Sequence, residues 1–303
     1  MAQDHEILRY AAFSRDPAAG NPAGVVPDAS GLDAEQMQRI AAEVGFSETA
    51  FLVPDAADPR HLTVRYFSPL AEVPFCGHAT IASAVALAER TGPGRLTLDT
   101  PAGEVVVSSR YDGDGALVAA LTSVAPRVEP LAAADLDEIL AALRWEAGDL
   151  DPALPGRVAF AGAWHPVVAA ASRDRLAVLD YDFDRLGRLM AHRDWTTVAL
   201  VWREHAGRFH VRNPFPPGGV VEDPATGAAA AAFGAYLRAL ALVDVPSTVS
   251  LRQGDDLGRP SRLTVDIPAG DGPITVSGHA VAIPRDGGVD REAFAGPSGL
   301  HGG

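Results

Sequence analysis

The sequence predicts an α+β protein of two related, pseudo-symmetric domains, each a mixed β-sheet rolled around a central buried helix. Segments that read as strands outnumber those that read as helices. Two helical stretches are apolar on nearly every face, and two blocks of sequence return in the same order in the second half of the chain.

The strand-like segments are short, alternating or β-branched runs: residues 6–13, 49–53, 62–67, 96–98, 104–109 and 117–121, then 158–161, 167–170, 197–202, 209–211, 248–252 and 274–281. Residues 33–44 and 134–143 have helical periodicity and acidic first turns, as surface helices do. Residues 80–88 and 228–242 are apolar almost all round and belong inside the protein. A flat sheet covers one side of such a helix, whereas a curled sheet covers all of it.

Leu96-Thr-Leu-Asp-Thr-Pro-Ala-Gly103 returns as Leu263-Thr-Val-Asp-Ile-Pro-Ala-Gly270. Upstream of each copy, Val64-Arg65 leads to Glu72 and Gly77, and Val211-Arg212 leads to Glu222 and Gly227; an alanine-rich stretch follows each glycine. A common turn after a strand would account for Pro-Ala-Gly alone, but two matched blocks in one order favour duplication. The expected division is a half-barrel over residues 1–124, a second over 125–285 whose last strand is free to pack across onto the first, and a tail over 286–303.

Composition excludes several classes. The chain has 303 residues, 47% hydrophobic and 21% charged, with a net charge of -14. That balance repels nucleic acid and anionic membrane surfaces, while a small anion can still be held by single arginines or helix starts. The acidic N-terminus does not read as a secretory signal, and no apolar run is long enough for a bilayer. Cys76 is the only cysteine, so no intrachain disulfide or cysteine-rich metal site is possible, and a cytoplasmic setting is expected. No dinucleotide loop, phosphate loop or metal-spaced cluster is present in the sequence, so neither cofactor nor metal is expected.

Gly77 and Gly227 each open a buried helix, where backbone N–H groups and the positive end of the dipole suit a carboxylate. Each could equally be a plain turn; it is their pairing across the halves that points to one ligand in a cleft between domains. Asn21 and Pro22, between Gly20 and Gly24, read as a turn near the cleft mouth, with Asn21 a candidate contact.

Six ordered blocks complete the sequence reading: Gly20-Asn-Pro-Ala-Gly-Val25, Ser47-Glu-Thr-Ala-Phe51, Arg65-Tyr-Phe-Ser-Pro69, Cys76-Gly-His-Ala-Thr80, Glu222-Asp-Pro-Ala-Thr-Gly227, and Gln253-Gly followed by Gly258-Arg-Pro-Ser261. In this order and spacing, from about residue 8 to about residue 284, the chain resembles the phenazine-biosynthesis PhzF-like family. The resemblance implies the diaminopimelate-epimerase-like fold, a homodimer, and Glu48 as the acid/base for a carbon-bound proton, with His78 and Asp223 lining the same cleft. Substrate contacts are expected from Asn21, Gly77, Thr226, Gly227 and Ala228. Family members often carry a serine where this chain has Ala228, which removes a side-chain hydroxyl contact and puts the family's dihydro-hydroxyanthranilate in doubt as the substrate, while the backbone donors at Gly227 and Ala228 remain.

Proton abstraction from carbon needs a base well above the usual carboxylate pKa of ~4.3, which an apolar setting favours. Phe46, Ala50 and Phe51 offer that setting to Glu48, although an exposed strand carboxylate fits the same residues. His78 fits a proton shuttle or a simple helix-start donor, and Asp223 fits a site carboxylate or a helix N-cap. Two-thiol racemase chemistry is excluded, because the counterpart of Cys76 is Thr226. The expected reaction is a proton shift between carbons of a small carboxylic acid; a lyase or hydrolase on the same cleft, or a non-catalytic acid-binding protein, are the alternatives.

Overall fold

The computed structural model describes residues 5–284, so the expected tail over 286–303 lies outside the described residues. Two compact units emerge: residues 5–122 with 277–284, and residues 123–276.

The first unit contains β1 (Leu8–Ala12), β2 (Asn21–Val26), α1 (Ala34–Val44), β3 (Glu48–Pro54), β4 (His61–Phe67), β5 (Glu72–Val73), α2 (Gly77–Thr91), β6 (Arg95–Thr100), β7 (Gly103–Tyr111) and β8 (Leu117–Thr122). The second contains β9 (Arg127–Pro130), α3 (Ala133–Leu143), β10 (Arg157–Phe160), β11 (Trp164–Ala169), α4 (Arg173–Ala177), α5 (Phe183–Arg193), β12 (Ala199–His205), β13 (Arg208–Arg212), β14 (Pro214–Phe215), β15 (Val220–Glu222), α6 (Gly227–Ala239), β16 (Ser247–Gln253) and β17 (Ser261–Ile267). The chain returns to the first unit through β18 (Thr275–Ala282).

In the first unit the sheet runs β1-β2-β3-β4-β6-β7-β8-β18, and β18 pairs back onto β1 with Tyr10 opposite Ala282. Eight strands therefore close into a barrel, where the sequence reading expected a half-barrel; the closing strand comes from the far end of the chain. Helix α2 packs against β1, β2, β3, β7 and β8. Its small side chains let it fit inside, and Ile81 and Val85 are buried completely enough to contribute about 1.5–3 kcal/mol each. The apolar helix is longer than the 80–88 expected from its pattern, because Gly77 and His78 already belong to its first turn.

Helix α1 lies on this barrel. Asp33 caps it through a reciprocal box with Gln36, and Met37, Ala41 and Val44 form its buried stripe. Gly45, at φ 69°, ends the helix in the left-handed conformation. Phe46 then anchors the chain among Ala11, Val44 and Ile283, which delivers Glu48 as the first residue of β3.

The second unit repeats the pairing senses. Pairs β1–β2, β2–β3, β3–β4, β4–β6 and β6–β7 alternate antiparallel and parallel, and β10–β11, β11–β12, β12–β13, β13–β16 and β16–β17 alternate identically. Helix α6 packs on β9, β10, β11 and β17, both ends of this sheet. A second core joins α3 and α5 to the strands through Ile139, Leu143, Leu186, Met190 and Leu200.

Asn21 and Pro22 do not form a turn. They begin β2, opposite Ala12 and Ala11, and Asn21 is 1% exposed. The turn is made one residue earlier, by Gly20 at φ 68°. Turn-rich composition is overridden here because β2 lies between β1 and β3 with all six residues buried.

Candidate active site

Glu48, Cys76 and His78 come together in the first unit, with ligand-type atoms all within 4.8 Å of one another. Glu48 Oε2 lies 3.4 Å from His78 Nε2, and the two side chains are 15% and 6% exposed. The exposed-strand reading of Glu48 is therefore out: its carboxylate meets a buried imidazole. Ser47 Oγ lies 3.3 Å from the same ring nitrogen. Cys76 Sγ is 3.3 Å from Nδ1 and 3.8 Å from Nε2, so the sulfur sits beside the ring instead of along one N–H direction. A cation held by Glu48 and His78 would thus not face Sγ as a third ligand without the ring turning.

Burial pushes the His78 pKa down, opposed by the charge of Glu48 and by a hydrogen bond to the backbone of Pro22. The imidazole is accordingly neutral near pH 7, and the Pro22 contact fixes its orientation. The start of β2 thus enters the site through main chain, by the neighbour of Asn21.

The α2 start is held by a buried relay. Tyr66 O–H donates to Thr80 Oγ1 at 2.7 Å, and Thr80 O–H donates to the Cys76 carbonyl at 2.7 Å. Burial raises the Tyr66 phenol above its ordinary pKa, which keeps it a donor. Cys76 occupies the N-cap position with no side-chain cap, and the first turn has no acidic residue. The N–H groups from partly exposed Gly77 onward are thus left without a side-chain acceptor from the cap.

In the second unit Asp223, Thr226 and Gly227 lead into α6. Asp223 is not the N-cap; Thr226 holds that position and uses its hydroxyl on Asp223 Oδ2 at 2.6 Å instead of on the helix. The Asp223 main-chain N–H donates to the Asn213 carbonyl at 3.0 Å. Gly227 is buried, and Ala228 is the one partly exposed residue between Glu222 and Ala230. The sequence reading passed over Ser47 and Gln253 as functional residues, although both stood inside quoted motifs; their reach to His78 and Thr226 depends on strand register.

Among the described residues no helix is long and apolar enough to cross a membrane. The family model for phenazine biosynthesis-like proteins, PhzC-PhzF, matches residues 10–285. An uncharacterized isomerase of Mesorhizobium japonicum is 36% identical, over 93% of this chain and 97% of that protein. The trans-2,3-dihydro-3-hydroxyanthranilate isomerase of Pseudomonas fluorescens is 31% identical, over 93% of this chain and 98% of its own. The crystal structure of a PhzF-family phenazine biosynthesis protein of Bacillus anthracis superposes with a TM-score of 0.80 at 28% identity, covering 92% of this chain and 98% of that one. The chain belongs to the PhzC-PhzF family of phenazine biosynthesis-like proteins and is an isomerase.

Proposed function

We propose that the protein moves a proton between carbons of a small carboxylic acid without a cofactor, with Glu48 as the acid/base. The observation that carries this reading is the Glu48–His78 pair, 3.4 Å apart and almost excluded from water. In the proposed step the Glu48 carboxylate takes a proton from carbon, and the electron pair delocalises into an adjacent unsaturated or carboxyl group. Glu48 then returns the proton at another carbon. His78, oriented by its Pro22 contact and 3.4 Å from Glu48 Oε2, is a positioning residue beside the base. The N–H groups at the α2 start, beginning at Gly77, suit the substrate carboxylate.

Asp223, Thr226, Gly227 and Ala228 belong to the proposal on the strength of the family motif. The recurrence of pairing senses supports descent of both units from one ancestor. Ala228 puts a methyl group where relatives place a hydroxyl, which favours a substrate with one fewer polar contact than dihydro-hydroxyanthranilate. The homodimer and the cytoplasmic setting stand as part of the same reading; light scattering of the purified protein tests the former.

Turnover in deuterium oxide, with trans-2,3-dihydro-3-hydroxyanthranilate as first probe, tests the chemistry. One deuterium at carbon with no other change in mass is expected, and Glu48→Gln should lower kcat/KM by about 10²–10⁴-fold. A fully active Glu48→Gln enzyme would remove the assignment, and loss of water from the substrate would make it a lyase.

A further inference from the structure

The Gln253-Gly254 motif has no part in the chemistry above, yet it meets the Asp223–Thr226 turn at both ends. Gln253, the last residue of β16, is 2% exposed. Its Oε1 accepts the Thr226 main-chain N–H at 3.1 Å, and its Nε2 donates to the Asp223 carbonyl at 2.7 Å and to Thr226 Oγ1 at 3.0 Å. Thr226 in turn donates to Asp223 Oδ2 at 2.6 Å. The donors run in one direction, from Gln253 through the Thr226 hydroxyl to the Asp223 carboxylate. Gly254 is an independent sign of the same contact. It is left-handed at φ 74°, and a Cβ there would lie 2.9 Å from the Pro224 carbonyl oxygen and 2.3 Å from that of Arg259. Main chain of the turn therefore rests on main chain of the strand end, closer than any side chain permits.

We propose that Gln253 is a positioning residue: it fixes the Asp223–Thr226 turn, so that the Asp223 carboxylate and the first N–H groups of α6 are set before substrate arrives. The catalytic half of this claim rests on the reading of Asp223 given above. An amide is required because the site needs one acceptor and two donors in a single plane, which glutamine alone supplies at this length. Glutamate at the same position keeps the acceptor, loses both donors and sets its charge against the Asp223 carbonyl.

The test compares Gln253→Ala and the equal-sized Gln253→Glu, each in the native and the Asp223→Asn backgrounds, with turnover of trans-2,3-dihydro-3-hydroxyanthranilate and exchange of the Thr226 amide hydrogen as readouts. Either change should lower kcat by about 10- to 100-fold in the native background. The same change should cost under about 2-fold once Asp223 is asparagine, since residues acting as one unit do not add. Equal losses in both backgrounds would overturn the proposal. Should Asp223→Asn leave activity at the native level, the catalytic reading of Asp223 fails, and the positioning claim is judged on Thr226 alone. Exchange at least 10-fold faster in Gln253→Ala sustains it, and unchanged exchange overturns it.

Discussion

The two units place the same ion pair in opposite surroundings. At the end of β4, Arg65 forks onto Glu72 of β5 with two bonds of 2.7 Å; at the end of β13, Arg212 forks onto Glu222 of β15, with the Nε bond at 2.9 Å. Both pairs precede the turn into a central helix. Arg65 and Glu72 are 32% and 35% exposed, however, whereas Arg212 and Glu222 are 9% and 2% exposed. Arg212 also donates to the Ala177 carbonyl at 2.6 Å. The repeated motif is thus a clasp whose energetic weight is set by water and not by its own geometry.

The helix starts differ in the same spirit. In the first unit a neutral tyrosine–threonine relay from β4 holds the α2 start, while in the second a glutamine from β16 holds a threonine and an aspartate ahead of α6. At the first, Ser47 and Glu48 reach His78 from the start of β3. The second builds a carboxylate into the turn itself.

The comparison breaks most sharply at the clasps. Arg212→Ala should destabilise the protein by about 3–5 kcal/mol by leaving Glu222 buried and unpaired, against roughly 0–1 kcal/mol for Arg65→Ala. Urea unfolding of both variants checks this, and equal costs would show that the clasps are equivalent after all. The pairing also predicts that replacing Arg212 and Glu222 together by methionine and leucine recovers much of the loss.

Acid should find the second unit next. His165 is fully buried, its Nδ1 lies 2.8 Å from Thr197 Oγ1, and burial pushes its pKa down to about 4. Its folded pKa is below the ordinary ~6.5, so the unfolded chain binds more protons between these values. Its contribution is fully present above pH ~6.5 and is lost as pH falls toward about 4, by up to roughly 3 kcal/mol. Unfolding midpoints across that range should flatten in His165→Gln, and an unchanged slope would place the acid sensitivity elsewhere.

Smaller effects probe the central helices. Gly234 of α6 stands where a Cβ would be 2.7 Å from Val265 Cγ1 and 3.0 Å from Ile274 Cγ2, so Gly234→Ala should cost about 1–3 kcal/mol despite its better helix propensity. Tyr66→Phe deletes one neutral hydrogen bond and should cost about 0.5–1.5 kcal/mol. A larger loss from Tyr66→Phe would show that the α2 start depends on its relay more strongly than one hydrogen bond accounts for. Thermal or urea unfolding measures both.

Much of this was legible in the chain. The two all-apolar helices, the ordered repeats and most strands stand where their patterns put them, since hydrophobic period and burial are the same physical fact. Eight elements escaped, β2, β5, β9, β14, β15, β17, α4 and α5, and three of them show separate reasons. Residues 21–26 carry turn composition but lie centrally in a barrel. Helix α5 buries only Leu186 and Met190 and so shows little stripe, and β9 is a short, largely exposed edge strand. Among the candidate residues, the family resemblance nominated Glu48, His78 and Asp223, but the partners Ser47, Pro22, Thr226 and Gln253 depend on contacts between segments 3 to 56 residues apart.

By itself, then, the sequence determined which helices are wrapped and which residues recur, because composition and periodicity are local properties. Only the tertiary structure decided that β18 closes the first barrel, that one clasp is dry and the other wet, and which neighbour orients each acid. Those outcomes follow from strand register and water exclusion, which arise when distant segments meet.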